Sequence, residues 1–318
     1  SGAQLVKVKA KAVSDMATAD PLRRSIATLT AAILVFFVIP LNEKIVNASI
    51  SWLPFRPWQI LNILAWALNM WAVSVPGRLD GSQAAALSDE GEIRFFTPAG
   101  WAFAIWGPIF LGEALFAFFQ LLPIETVQTS FIPKLTVWWI PAVACQSLWC
   151  SAFRPWAKKS GFLWLPAALL TLTAVALGGA HKVLFDALHS EEVSMLEYII
   201  VNIPLTLHFG WITAASLVSW NGYLASVTAS ISIKSLASSA SIVAGVIAAA
   251  LVGWNRIEPF YPLVVSWALA AVADKKGWSQ LEGKVPGPIL KRLSGLASLG
   301  SGISLLLAIV AFWRLFSG

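Results

Sequence analysis

Nine long apolar stretches run through the 318 residues of this chain, and they restrict its fold more than any other feature. Each is about as long as a helix must be to cross the hydrocarbon core of a bilayer, roughly 17 to 25 residues. With 58% hydrophobic and 12% charged residues, the chain lies outside the class of soluble globular proteins. The sequence therefore predicts an all-α, polytopic membrane helix bundle with about nine transmembrane helices. The predicted spans are residues 25–41, 58–75, 97–121, 135–153, 162–180, 196–219, 239–255, 259–274 and 299–316.

The positions of the basic residues support nine crossings. Most of the 22 Lys and Arg residues fall in the segments that nine crossings place on the side of the N-terminus. The positive-inside rule then predicts that this side is cytoplasmic or, in an organelle, stromal. We expect no nucleic-acid partner, because the basic residues form no long run and lie beside spans.

The first residues, SGAQLVKVK, are small and basic, which is typical of a start left after a targeting peptide is cleaved or of a trimmed chain. The first alternative favours an organelle. We therefore expect a multi-pass membrane protein, with a plastid location (thylakoid or envelope) as one hypothesis.

The stretch Phe95–Gln120, FFTPAGWAFAIWGPIFLGEALFAFFQ, carries two prolines, three glycines and one carboxylate, Glu113. A charge inside a span is costly, so Glu113 is predicted to be protonated, paired or turned toward a polar cavity. Phe103 and Trp106 share a helix face, and aromatic planes on one face suit either stacking on a flat ligand or helix packing. One flank of this helix should face the protein interior.

His208 lies in the middle of a predicted span, four residues after Pro204. A neutral imidazole there could ligate the metal of a haem or a chlorophyll, or it could hydrogen-bond to a neighbouring helix. Both alternatives stay open. The chain has no Gly-rich phosphate loop, nucleophile elbow or paired carboxylates, so the sequence gives no motif for an enzyme.

Three segments carry further predictions. The segment 181–192, HKVLFDALHSEE, is predicted to be a loop in which a metal site is improbable, and 220–238 is predicted to be a Ser-rich linker. Ser241, Gly245, Ala249 and Gly253 are spaced four apart, which indicates close packing of another helix.

Four motifs resemble, in order, those of the TspO/MBR family of tryptophan-rich membrane proteins. TPAGWAFAIWGPIFLG (Thr97–Gly112) resembles the second helix of that family, and VACQSLWCSAF (Val143–Phe153) resembles the third. NIPLTLHFGWITAASLVSWN (Asn202–Asn221) resembles the fifth, and YPLVVSWALAAVA (Tyr261–Ala273) is similar to a segment of longer members. The resemblance implies three regions: 1–57 with an extra helix, a five-helix core at 58–220, and a three-helix extension at 221–318.

The resemblance also implies an aromatic-walled cavity that opens toward the loop before the second helix and binds a tetrapyrrole or a similar apolar ligand. Gln146 stands where the family commonly has Asn, and His208 stands where it has aromatic or aliphatic residues. The predicted ligand-binding residues are Trp101, Phe103, Trp106, Glu113, Gln146, Trp149, His208 and Trp211, with His208 also a candidate axial metal ligand.

Three functions follow as alternatives. The first is binding of a porphyrin, haem or chlorophyll in the cavity, surrounded by membrane lipids. The second is an accessory subunit of a larger membrane complex, such as a plastid photosystem and its antenna, which holds pigments through contacts with other subunits. The third is a small-molecule transporter, for which the interrupted helices and Glu113 are the motive.

Overall fold

The computed structural model describes residues 55–74, 93–122, 131–153, 161–190, 193–228 and 230–317. Helices make up most of these residues, and no strand occurs among them. The predicted all-α membrane helix bundle is confirmed.

Eight helices form the described part of the bundle. Their bounds are α1 Pro57–Ser74, α2 Trp106–Phe119, α3 Ile132–Ala152, α4 Trp164–His189, α5 Ile203–Val227, α6 Ile231–Asn255, α7 Phe260–Ala273 and α8 Gly287–Ser317. A 3₁₀ helix, Gly100–Ile105, leads into α2, and a π-helix, Tyr198–Asn202, leads into α5. A short helix, Lys275–Trp278, follows α7.

Five helical segments are long and apolar enough to cross a membrane. They are Gly100–Phe119, Trp164–His189, Met195–Val227, Ile231–Asn255 and Gly287–Leu315, and α7 is a shorter apolar helix. Helices thus stand at eight of the nine predicted spans. The ninth, 25–41, lies outside the described residues.

Hydrogen bonds among buried polar groups fix α1, α2 and α3 at the end of the bundle where α1 begins. Asn62 Nδ2 donates to Gln120 Oε1 (2.6 Å) and to Thr136 Oγ1 (2.9 Å). Gln120 Nε2 donates to the carbonyl of Gln59 (3.0 Å). These contacts pair the start of α1 with the end of α2 and the start of α3, so α1 and α3 run parallel and α2 runs against both.

Two apolar clusters meet along α5 and α7. The larger is built mainly from α1 to α5, and it takes in Val264, Ala268 and Ala271 of α7. The smaller joins α6, α7 and α8, with Leu217 and Val218 of α5 packed against it. The C-terminal helices therefore pack directly on the predicted five-helix core, and the division of the chain at residue 220 stays a prediction.

The small-residue stripe of α6 faces α7, as predicted for helix packing. A Cβ atom on Gly253 would lie 3.1 Å from Cγ of Pro262, and one on Gly245 would lie 3.7 Å from Cγ1 of Val265. Ala249 is fully buried. The small-residue stripe therefore serves packing between α6 and α7 of the same chain.

The sequence predicted a linker and a loop for two segments, and both predictions were wrong because both segments are mainly helical. α5 runs to Val227 and α6 begins at Ile231, so helix fills most of the predicted linker 220–238. Its serines find partners between the helices: Ser238 Oγ donates to Asn221 Oδ1 (3.0 Å), and Asn221 Nδ2 donates to Ser241 Oγ (2.7 Å).

The predicted loop 181–192 is helical as far as His189. Lys182 and Asp186 form an ion pair one turn apart (2.6 Å), which supports a helix that continues beyond the apolar stretch.

Candidate ligand cavity

The described part of the bundle encloses a cavity of about 520 Å³ at one end. Its walls come from the C-terminal ends of α1, α3, α5 and α7 and the N-terminal ends of α2 and α4. The segment before α2, residues 93–99, completes the wall through Arg94, Phe96 and Pro98. A volume of this size is within the range of small-molecule and cofactor sites, roughly 300 to 1,000 Å³.

Aromatic rings from four segments, the 3₁₀ helix, α2, α3 and α5, line the cavity. Trp211 meets Trp106 edge to face, with ring centroids 6.2 Å apart, and it meets Phe103 in the same way at 5.5 Å. On α3, Trp149 and Phe153 are stacked at 5.3 Å. These rings present apolar surface against which a flat ligand can stack, each contact contributing about 0.5–1.5 kcal/mol beyond simple burial.

A buried carboxylate and a buried imidazole meet beneath this aromatic wall. Nδ1 of His208 lies 2.6 Å from Oε1 of Glu113, and both side chains are fully buried. The His208 ring also packs edge to face on Trp106, with centroids 5.8 Å apart. Because His208 lies one turn before Trp211 on α5, the pair supports the cavity wall from the bundle interior.

A close approach of α2 and α5 brings this pair together. A Cβ atom on Gly112 would lie 2.4 Å from Cγ of Pro204, so only glycine allows the observed distance between the two helices. Pro204 cannot donate a backbone hydrogen bond, and the π-helix Tyr198–Asn202 accommodates it at the start of α5. Glu113 and His208 follow Gly112 and Pro204 in the two helices.

A comparison with protein families shows the family to which the chain belongs. The family model described as "TSPO-like protein" matches residues 58–310, which is well over half of the chain. The chain belongs to the TSPO-like family. No curated protein and no solved structure gives a match.

Four of the predicted ligand-binding residues of this TSPO-like protein line the cavity: Phe103, Trp106, Trp149 and Trp211. They come from the 3₁₀ helix and from α2, α3 and α5, so segments far apart in the sequence converge on one space. No ligand contact is tested by this placement, and their binding role stays a prediction.

Trp101 points away from the cavity and is 38% exposed. Its Nε1 donates to Oδ2 of Asp274 (2.8 Å), and its ring packs edge to face on Trp267 at 4.7 Å. The carboxylate of Asp274 also accepts from the backbone amide of Lys276 (2.9 Å). The Lys276 amide, followed by the Trp101 indole, holds the pKa of Asp274 below its usual value.

Gln146, Glu113 and His208 lie below the cavity and are not part of its lining. Gln146 is one turn before Cys150 on α3, and within the described residues its amide has no hydrogen-bond partner. The same holds for Oε2 of Glu113 and Nε2 of His208. Trp106 lies between His208 and the cavity, so the imidazole does not reach the space that a ligand would occupy.

Among its described residues, the cavity lining contains no His, Asp or Glu side chain and one cysteine, Cys150. Across the described ranges, no group of three or more His, Cys, Asp or Glu side chains is arranged to hold a metal ion. Aromatic and aliphatic side chains dominate the lining.

Sequence reasoning missed part of the lining. Ala268 and Val272 of α7 belong to the wall, although they lie in the predicted C-terminal extension. Arg94, Ser219 and Tyr223, named here the polar rim, were missed as well. A signal for Arg94 exists in the sequence, since it lies in the loop before the second helix, toward which the family resemblance opens the cavity.

Proposed function

We propose that this TSPO-like membrane protein binds a flat apolar ligand of the tetrapyrrole class, such as a porphyrin, haem or chlorophyll, in the aromatic cavity. The observation that carries the proposal is the convergence of Phe103, Trp106, Trp149 and Trp211 on one space of about 520 Å³. Burial of the macrocycle and stacking on these rings would supply the affinity.

Glu113 and His208 have an indirect role in this proposal. Their hydrogen bond holds the imidazole edge against Trp106, and Trp106 is stacked on Phe110 at 4.9 Å. The orientation of the Trp106 ring in the wall therefore depends on a pair that does not touch the ligand. We expect metal-free and iron porphyrins to bind with comparable affinity, because His208 lies behind Trp106.

Titration with metal-free protoporphyrin IX tests the proposal. In detergent-purified protein, binding is followed by quenching of tryptophan fluorescence. Trp211→Ala should weaken binding at least about tenfold, since loss of a central buried aromatic residue commonly costs 2 kcal/mol or more. The matched control is Trp313→Ala, which removes a 68% exposed tryptophan of α8 outside the cavity. Equal affinity in the two variants would refute binding in this cavity.

The alternative functions receive less support. The small-residue stripe of α6, a surface that another subunit could have used, packs against α7 within the chain. The transporter alternative was motivated by Glu113, and that carboxylate is paired with His208. A role as a pigment-holding subunit of a plastid complex, a stromal N-terminus and a plastid location stay proposals that rest on the sequence.

A further inference from the structure

A second buried polar network lies at the end of the bundle opposite the cavity. The first residues of α4 line the cavity, whereas His181 lies toward the other end of that helix. Nη1 of Arg256, in the turn between α6 and α7, lies 2.8 Å from Nδ1 of His181. The same Nη1 donates to the carbonyl of Gly178 (3.2 Å). Arg256 thus ties the turn to α4.

The contact with Arg256 fixes the protonation of the imidazole. A guanidinium group carries only donors, so Nδ1 of His181 must accept this hydrogen bond. The neutral ring then carries its hydrogen on Nε2. A protonated ring would carry hydrogens on both nitrogens, and it would place a second cation 2.8 Å from Arg256. The observed contact therefore requires a neutral His181.

A carboxylate lies on the other side of the ring. Oε2 of Glu258 is 3.8 Å from Nε2 of His181, too far for a hydrogen bond, and within the described residues Nε2 has no hydrogen-bond partner. Glu258 is held in place, because it accepts from Asn202 Nδ2 (2.8 Å) and from the backbone amide of Phe260 (3.0 Å). A protonated ring would reach this carboxylate by a movement of about 1 Å, since charge-assisted hydrogen bonds measure about 2.7–2.9 Å.

The backbone of the turn is strained between these two contacts. Ile257, which lies between Arg256 and Glu258, has a φ of 49°, and a β-branched residue rarely adopts such a value. A conformation of this kind persists only where the surrounding contacts impose it. Loss of the bond between Arg256 and His181 should therefore let the turn move to a relaxed conformation.

Other ionisable groups surround the network. Asp186 of α4 is paired with Lys182 (2.6 Å), and the hydroxyl of Tyr261 of α7 donates to Thr213 Oγ1 (3.0 Å). From the segments packed against α4, the ionisable groups toward this end are Glu197 and Tyr198, before α5, and the exposed Lys134 of α3. Of all these side-chain types, histidine is the one whose charge ordinarily changes between about pH 8 and 5. His181 is thus the group expected to respond to mild acid.

We propose that His181, Arg256 and Glu258 form a pH-sensitive switch that holds the turn between α6 and α7 against α4 at neutral pH and releases it in acid. A proton from solvent binds Nδ1 of His181, and Arg256 loses its acceptor on the ring. The charged imidazole then pairs with Glu258, and the turn relaxes at Ile257. The switch goes beyond the proposed ligand binding and does not depend on it, because the network lies at the other end of the bundle.

Hydrogen–deuterium exchange of the turn tests the switch. In detergent-purified protein, amide exchange in residues 256–260 is compared at about pH 7.5 and about pH 5.5, on either side of the ordinary titration of histidine. The rates are corrected for the direct effect of pH on amide exchange. The turn of the native protein should exchange about tenfold faster in acid, the order expected when a hydrogen bond from a charged group is lost.

Three variants assign the effect. His181→Gln should abolish the increase in acid, because the glutamine oxygen still accepts from Arg256 but takes up no proton in this range. The matched control is His189→Gln, which removes an exposed histidine of the same helix and should keep the increase. Arg256→Ala lacks the donor, so its turn should exchange rapidly at both pH values.

The outcomes separate the switch from a general effect of acid. A turn that exchanges equally at both pH values in the native protein would overturn the inference. So would an increase that persists in His181→Gln, because another group would then be its source. An equal increase along α8 would show loosening of the whole protein and would contradict a local switch.

Discussion

Glu113 and His208 form a fully buried pair whose atoms approach to 2.6 Å. Either group alone would leave an uncompensated polar or charged group in the bundle interior, where no bulk water can solvate it. The sequence predicted that Glu113 would be protonated, paired or near a polar space. The sequence could not identify His208 as the partner of Glu113. The two residues are 95 positions apart, and their contact depends on the relative rotation of α2 and α5 about their axes.

Removal of one member of this pair should destabilise the protein. We expect Glu113→Leu to lower the free energy of unfolding by about 3–5 kcal/mol, the usual effect of leaving a buried partner unpaired. Glu113→Gln, which keeps a hydrogen-bonding oxygen, should cost less. Thermal unfolding in detergent measures both.

The double variant Glu113→Leu with His208→Phe provides the control. If the pair acts as a unit, the double variant should be more stable than the sum of the two single effects implies. Strict additivity would show that the two side chains contribute independently and would contradict the coupling.

At the scale of single helices, α2 carries two glycines with opposite surroundings. A Cβ atom on Gly112 would collide with Pro204 of α5, whereas one on Gly107 would have no atom within 4 Å. Gly112→Ala should therefore cost about 1–3 kcal/mol through overpacking. Gly107→Ala should be neutral or slightly stabilising, within about 1 kcal/mol, because alanine is the better helix former. Thermal unfolding of both variants makes the comparison, and equal effects would contradict the close approach of α2 and α5.

The stability that the turn after α7 contributes to the folded protein should depend on pH through Asp274. Its lowered pKa means that the carboxylate stabilises the folded state above the ordinary value of 3.8, and that this stabilisation is lost as the pH falls through the lowered value. Asp274→Asn should thus be less stable than the native protein at pH 7, with a difference that is constant down to about pH 4 and narrows below it. Thermal unfolding as a function of pH measures the difference, and a gap that widens toward acid would contradict the sign.

Helix positions were largely predictable from the sequence, whereas helix ends were not. The apolar stretches located α1 to α8, because each helix must cover its length of the membrane with apolar side chains. The serines of 220–238 and the charged residues of 181–192 suggested loops. In the structure they remain helical, because Ser238 finds Asn221 on the neighbouring helix and Lys182 finds Asp186 one turn along. The partner of Ser238 comes from tertiary packing and cannot be read from local composition, whereas the i, i+4 pair of Lys182 and Asp186 could have been.

At the scale of the whole molecule, the cavity belongs to the N-terminal and C-terminal helices together. Ala268 of α7 lines it opposite residues of α1 to α5. The sequence identified Trp106, Trp149 and Trp211 through the family resemblance and Phe103 through the helix face it shares with Trp106, but it assigned α7 to a separate extension. Whether α7 forms part of the cavity wall depends on its tertiary packing against α5. No local sequence pattern in either helix indicates that packing.

Filling the cavity from α7 tests this shared wall. Ala268→Phe should place a ring in the ligand space and weaken binding of protoporphyrin IX at least about tenfold, the size of effect seen when a well-packed contact in a pocket is lost. The matched control, Leu263→Phe, changes a 43% exposed residue of the same helix. If both variants bind like the native protein, α7 does not form part of the site.

The most direct measurement is an experimental structure of the protein with protoporphyrin IX bound. The account predicts density for the macrocycle between Trp106, Trp149 and Trp211. Density on the outer, lipid-facing surface of the helices, with the cavity unchanged, would contradict it.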